Sequence, residues 1–90
     1  MSDVLGRTIM LQAIMKGGGK AARLVRRLFE EELTLKDISH IAAELYLLAG
    51  ETPAGLKRIL ETRLASDSEN EIDRGAYAWL KDNYPEAFGG

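Results

Sequence analysis

TLKDISHIAAELYLLAGETPAGL, residues 34–56, contains one complete helix signal and the start of a second. Apolar residues recur at helical spacing through its first half, which predicts an amphipathic helix over 35–49 with one buried face. Thr34 is the predicted N-cap, and Asp37 three residues later completes a capping box. Gly50 is the predicted stop, because glycine readily adopts the left-handed conformation in which many helices end.

Downstream of this helix the pattern predicts two more. Thr52 is a good N-cap, and Pro53 suits the first helical position, where its missing N–H has no intrahelical role. A break in the periodicity follows, and then Ser68 and Glu71 match a capping box that opens the last helix. Pro85 ends that helix and leaves a short C-terminal tail.

Upstream, the same periodicity predicts helices over 3–15 and 20–33, separated by three consecutive glycines. Each glycine costs about 1 kcal/mol relative to alanine inside a helix, so three in a row should end the first helix and form a hinge. No segment alternates with period two. The sequence therefore predicts an all-α protein, a single compact bundle of about five short helices. One domain would span 1–90, with the glycine hinge 17–19 joining the first helix to a helical core over 20–84.

Composition narrows the class of protein. The chain has 90 residues, which is the size of one domain. It contains no cysteine, which excludes a disulfide scaffold, a cysteine zinc site and a thiol nucleophile. The N-terminus lacks the basic region of a signal peptide, and no apolar run approaches the roughly 18 residues of a membrane span. A cytoplasmic protein without membrane association is expected.

Charge is unevenly distributed along the chain. Residues 1–29 carry six basic groups and one acidic group, whereas residues 30–90 carry a net charge of −7. The helix over 20–33 begins with bases and ends with acids, although a helix dipole favours the reverse order. Such a violation of a local rule can mark a functional surface. The basic residues of that helix are Lys20, Arg23, Arg26 and Arg27.

Enzymatic constellations are not found in the sequence. The GK pair at 19–20 resembles the end of a phosphate-binding loop, but Ala21 occupies the position of the metal-binding hydroxyl, and a helix precedes it. His40 is the single histidine and is expected on the surface, paired with Glu44 at i+4. One histidine with neighbouring carboxylates does not make a metal or proton-transfer site. We therefore expect no catalytic residue, no cofactor and no metal.

The first predicted helix is apolar around nearly its whole circumference. Such a helix is normally buried on all sides, so it either threads between the other helices or contacts a second chain. The sequence thus favours a non-enzymatic protein-binding module, a small regulator, adaptor or inhibitor, which forms a homo-oligomer or binds another protein. The candidate contact residues are Leu5, Ile9, Met10, Ile14, Lys20, Arg23, Arg26 and Arg27.

A nucleic-acid-binding regulator is the alternative. It would use the basic residues of the helix over 20–33, or a helix-turn-helix-like unit at 35–65. In that unit Thr52, Lys57 and Arg58 would face the groove of the nucleic acid. The acidic surroundings of this unit count against it, because nucleic-acid binding requires a basic footprint.

Overall fold

A computed structural model of the chain describes residues 7–89. This part of the chain forms four α-helices and a closing 3₁₀ turn, and it contains no strand. The all-α bundle that the sequence predicts is confirmed. The elements are α1 (Arg7–Glu30), α2 (Leu35–Leu48), α3 (Pro53–Ser66), α4 (Glu71–Asn83) and the 3₁₀ turn Pro85–Phe88.

The predicted caps of α2 and α3 are confirmed. The Asp37 N–H donates to Thr34 Oγ1 at 3.1 Å, and the Thr34 N–H donates to Asp37 Oδ2 at 3.3 Å. Gly50, with φ of 112°, follows the end of α2. At the start of α3, Thr52 Oγ1 accepts a hydrogen bond of 3.0 Å from the N–H of Gly55, and Pro53 is the first helical residue.

The predicted start of α4 is wrong. Its N-cap is Asn70, whose Oδ1 accepts from the N–H of Asp73 at 3.0 Å, whereas the sequence favoured Ser68. Both residue types cap helices well, so local chemistry alone does not choose between them. In this structure the residue that Asn70 caps, Asp73, is buried and binds Arg63 of α3.

The C-terminal residues form a regular turn, whereas the sequence predicted only a short tail. Pro85–Phe88 form a 3₁₀ turn that returns to the bundle. The ring of Phe88 meets that of Tyr77 edge-on, with 5.1 Å between centroids, and Lys57 Nζ lies 5.4 Å from the Phe88 centroid. These contacts attach the end of the chain to α3 and α4.

The first helix breaks within the three glycines, as the sequence predicts, but the break is confined to one residue. Gly17 and Gly19 are helical, and only Gly18 leaves the helical region, with φ of 63° and ψ of −138°. It divides α1 into a first segment, residues 7–17, and a second segment, residues 19–30. Gly17 allows close packing on α2, since a Cβ there would lie 2.9 Å from Leu48 Cβ.

Substitution of Gly18 and of Gly19 should therefore change the stability of the protein in opposite directions. Gly18→Ala should lower the free energy of unfolding by about 1–3 kcal/mol, because a side chain strains this backbone conformation. Gly19→Ala is the matched control: a Cβ there meets no atom within 4 Å and φ is not positive. It should raise stability by about 0.5–1 kcal/mol. Urea unfolding of both variants checks this, and equal effects would contradict the assigned break.

Helix α2 forms the centre of the bundle. One side packs on both segments of α1, in a cluster of Ala13, Ala21, Leu24, Ile41, Leu45 and Ala49. The other side packs on α3 and α4, in a cluster of Ala42, Ala43, Tyr46, Leu56, Leu60, Ala76 and Leu80. Within residues 7–89, helix α1 is therefore an outer layer that packs against the other helices on one side only.

Candidate protein-binding surface

The first segment of α1 has a clear inner side. Ala13 is completely buried, and Ile9 and Met10 are half-buried against the core. Leu11 and Met15 lie on the opposite side of the helix and are 55% and 83% exposed. The structure thus excludes the alternative in which this segment is buried on all sides by its own bundle.

Large exposed apolar side chains are concentrated at α1 within residues 7–89. Leu11, Ile14, Met15 and Phe29 belong to α1, and Leu35 follows at the start of α2. Phe29 is 76% exposed. Scattered exposed apolar residues are normal, but several on one helix are typical of a contact surface.

Basic side chains are exposed on the second segment of α1. Lys20, Arg23 and Arg26 are exposed and make no ion pair within the described part of the chain. Arg27 differs, because its Nε lies 3.3 Å from Glu31 Oε1 in an i,i+4 pair. We call the exposed residues Leu11, Ile14, Met15, Lys20, Arg23, Arg26 and Phe29 the α1 surface.

The sequence identified only part of this surface. Ile14, Lys20, Arg23 and Arg26 are exposed, whereas Arg27 is paired with Glu31, and Ile9 and Met10 contribute to the core of their own bundle. Leu5 lies outside the described residues. Leu11, Met15 and Phe29 were missed. An apolar circumference does not show which side of the helix faces the core.

The residues proposed for a helix-turn-helix have other contacts. Thr52 caps α3, and Lys57 Nζ lies 2.8 Å from Glu61 Oε2, while Arg58 is exposed. The hydrogen bond between Lys57 and Glu61 raises the pKa of Lys57 and lowers the pKa of Glu61. Burial, together with its hydrogen bond to Glu61, raises the pKa of Tyr77. Thr52 therefore acts as a helix cap, and Lys57 contacts Phe88 of the C-terminal turn.

A shallow cleft of about 350 Å³ lies where α1, α2 and the end of α4 meet. Its lining combines an ammonium, a carboxylate and an amide with apolar and aromatic groups: Lys20, Glu44, Leu47, Leu48, Trp79, Asn83 and Tyr84. His40 is half-buried beside it, with its ring centroid 5.7 Å from that of Trp79. The expected pairing with Glu44 is wrong: within residues 7–89 His40 forms no ion pair with Glu44, and its ring packs against Trp79 instead.

Metal-binding clusters and membrane-spanning helices are both absent from residues 7–89. These residues contain no group of three or more His, Asp or Glu side chains placed to hold a metal ion. None of their helices combines the length and the apolar character needed to cross a membrane.

The fold and the α1 surface define a small all-α bundle with one exposed basic and apolar helix. Comparison with known proteins identifies no relative of this chain. No protein-family model, no curated protein and no solved structure matches the chain.

Proposed function

We propose that this chain is a non-enzymatic protein-binding module that associates with a second copy of itself through the α1 surface. The observation that carries the proposal is the exposure of Leu11, Ile14 and Met15 on a helix whose other side is buried. Covering apolar surface contributes about 25 cal/mol per Å², so a second α1 layer would stabilise both copies.

The distribution of charge supports a second copy as the partner. Helix α1 carries six basic residues and one acidic residue, a net charge of +5. Residues 31–90 carry six basic and twelve acidic residues, a net charge of −6. A surface of one sign attracts a partner surface of the other sign, and each copy offers both. Regulation or inhibition of another protein would then be a property of the assembled pair.

The test places charge on the α1 surface without touching the core. Leu11→Glu with Met15→Glu should give a monomer, because two carboxylates would have to be buried at the contact. Both positions are exposed, so the free energy of unfolding of the single chain should change by less than about 0.5 kcal/mol per substitution. Light scattering after size exclusion measures the mass, and circular dichroism confirms the fold.

Two exposed alanines of α3 supply the matched control. Ala54→Glu with Ala65→Glu adds the same charge far from α1 in sequence and should leave the mass of the assembly unchanged. An assembly that persists in the Leu11/Met15 variant as it does in this control would contradict the proposal.

Nucleic-acid binding is the second candidate, and Lys20, Arg23 and Arg26 favour it, since they are exposed and form no ion pair with any of residues 7–89. Phosphate contacts release counterions, so the affinity should fall steeply with salt. Replacing Arg23, Arg26 and Arg27 with glutamine should abolish it. Absence of binding to mixed duplex and single-stranded pools at low salt would eliminate this candidate.

A further inference from the structure

The first segment of α1 is held on the bundle by few contacts. Among residues 8–17 only Ala13 is buried, and none of these side chains forms an ion pair within the described part of the chain. The second segment is held more firmly, because Ala21 and Leu24 are both buried against α2. The first segment is therefore the part of α1 that leaves the bundle at the lower cost.

The bend between the two segments depends on glycine. Gly18 has φ of 63° and ψ of −138°, a conformation that other residues adopt only under strain. A Cβ at Gly17 would lie 3.1 Å from Ala21 Cβ, whereas residues four apart in a straight helix have Cβ atoms about 5–6 Å apart. Since Ala21 is buried, the bend closes α1 on the side that faces the core.

A straight α1 is the alternative conformation. The residues that flank the glycines are mostly good helix formers, so a helical Gly18 would make α1 continuous. The first segment would then leave the core of its own chain, and Ile9, Met10 and Ala13 would lose the contacts that cover them. A second straight copy has the same vacated site, so each copy can bind the first segment of the other with the contacts of the compact chain.

We infer that α1 is a two-state element, bent in the compact chain and straight in a dimer in which two copies exchange their first segments. Both exchanged segments occupy identical sites, so the assembly closes as a dimer. Glycine adopts the bent conformation without strain, which keeps the exchanged dimer the minor form of the wild-type chain. The inference goes beyond the proposed function, because exchange uses the inner side of the first segment, whereas Leu11 and Met15 lie on its outer side.

Gly18→Ala tests the two states. Alanine strains the bend and favours the straight helix, so the dissociation constant of the dimer should fall at least about tenfold. Gly19→Ala is the matched control and should leave it unchanged, because residue 19 is helical in both forms and a Cβ there meets no atom within 4 Å. Both variants also carry Leu11→Glu and Met15→Glu, so that the α1 surface does not contribute. Equal masses by light scattering would overturn the inference.

Contacts between the chains of the dimer identify exchange directly. Gly18→Ala chains are refolded from urea as a 1:1 mixture of isotope-labelled and unlabelled protein. Isotope-filtered NMR should show nuclear Overhauser contacts between Ala13 of one chain and the α2 members of its cluster in the other. Those members are Ile41, Leu45 and Ala49. Contacts confined to a single chain would overturn the inference even if the variant is dimeric.

The wild-type chain provides the same measurement without a substitution, should Gly18→Ala not fold. Refolded from urea at millimolar concentration, it should contain a dimer fraction that persists after dilution and shows the same contacts between chains. A dimer held by the α1 surface dissociates on dilution, whereas exchanged segments must first detach from the core. A persistent fraction without contacts between chains, or no such fraction, would overturn the inference.

The outcomes separate this inference from the proposed function. A Gly18→Ala chain that is dimeric alone, but monomeric with Leu11→Glu and Met15→Glu, would overturn the exchange and support the α1 surface. Wild-type association that survives Leu11→Glu with Met15→Glu would contradict the proposed function, and isotope-filtered NMR of that dimer would still accept or reject the exchange.

Discussion

Asp73→Ala should lower the free energy of unfolding by about 3–5 kcal/mol, which is the usual cost of removing one member of a buried ion pair. Asp73 is buried, and both of its carboxylate oxygens accept from Arg63 Nε, at 3.2 and 3.1 Å. The substitution leaves the guanidinium, with its side chain only 21% exposed, without this counter-charge. Because a domain of this size is stable by only about 5–13 kcal/mol, the loss should be large in any denaturant titration.

Two comparisons make this result specific. Asp82→Ala removes an exposed carboxylate from the same helix and should change stability by less than about 0.5 kcal/mol. Adding Arg63→Met to Asp73→Ala should recover part of the loss, because the desolvated charge is removed with its partner. A cost of Asp73→Ala below about 1 kcal/mol would contradict the assigned role of the pair in joining α3 to α4.

Gly75→Ala should also destabilise the protein, by about 1–3 kcal/mol, although alanine is the better helix former. Gly75 lies where α4 approaches α2, opposite the buried Ser39. A Cβ at position 75 would lie 2.8 Å from Ser39 Cβ and closer still to its hydroxyl oxygen. The Ser39 hydroxyl can rotate away, but its Cβ is fixed to the backbone of α2, so the two helices must move apart to admit the methyl group.

A compensating substitution tests the same contact. Ser39→Gly in the Gly75→Ala background removes both obstructing atoms and should restore most of the lost stability, measured by urea unfolding as a coupling free energy. Ser39 Oγ has no hydrogen-bond partner within the described residues, so removing it breaks no bond. Additive effects of the two substitutions would show that the helices do not meet at this point.

The helices that the sequence predicted well are those whose ends are defined locally. Thr34 with Asp37, and Thr52 with Pro53, are complete cap signals within a few residues, so they need no knowledge of the rest of the fold. The start of α4 could not be chosen in this way. Ser68 and Asn70 are both good caps, so the local sequence does not separate them, and the structure uses Asn70.

Contacts between helices were not predictable from the sequence. Asp73 reads as an ordinary exposed acid in an acidic stretch, and nothing local shows that it is buried. Gly75 reads as a weak point of a helix, whereas its lack of a side chain is what lets α2 and α4 approach. In both cases the meaning of the residue depends on the side chain that faces it from another helix.

The sequence indicated the basic part of the α1 surface but, of its apolar part, only Ile14. The order of charges along a helix is a property of the sequence, and it is sufficient to indicate the arginines of α1. The orientation of the first segment is not, since its apolar residues surround the helix. Burial of Ala13 on α2 decides that Leu11 and Met15 remain outside.

The central claim is that the chain associates with itself through α1, and the mass of the intact protein in solution tests it most directly. Multi-angle light scattering over a wide range of concentrations should give a mass that rises from 9.9 kDa towards twice that value. The rise should weaken at high salt, because opposite charges contribute to the contact. A mass that stays at 9.9 kDa up to millimolar concentration and at low salt would contradict the account.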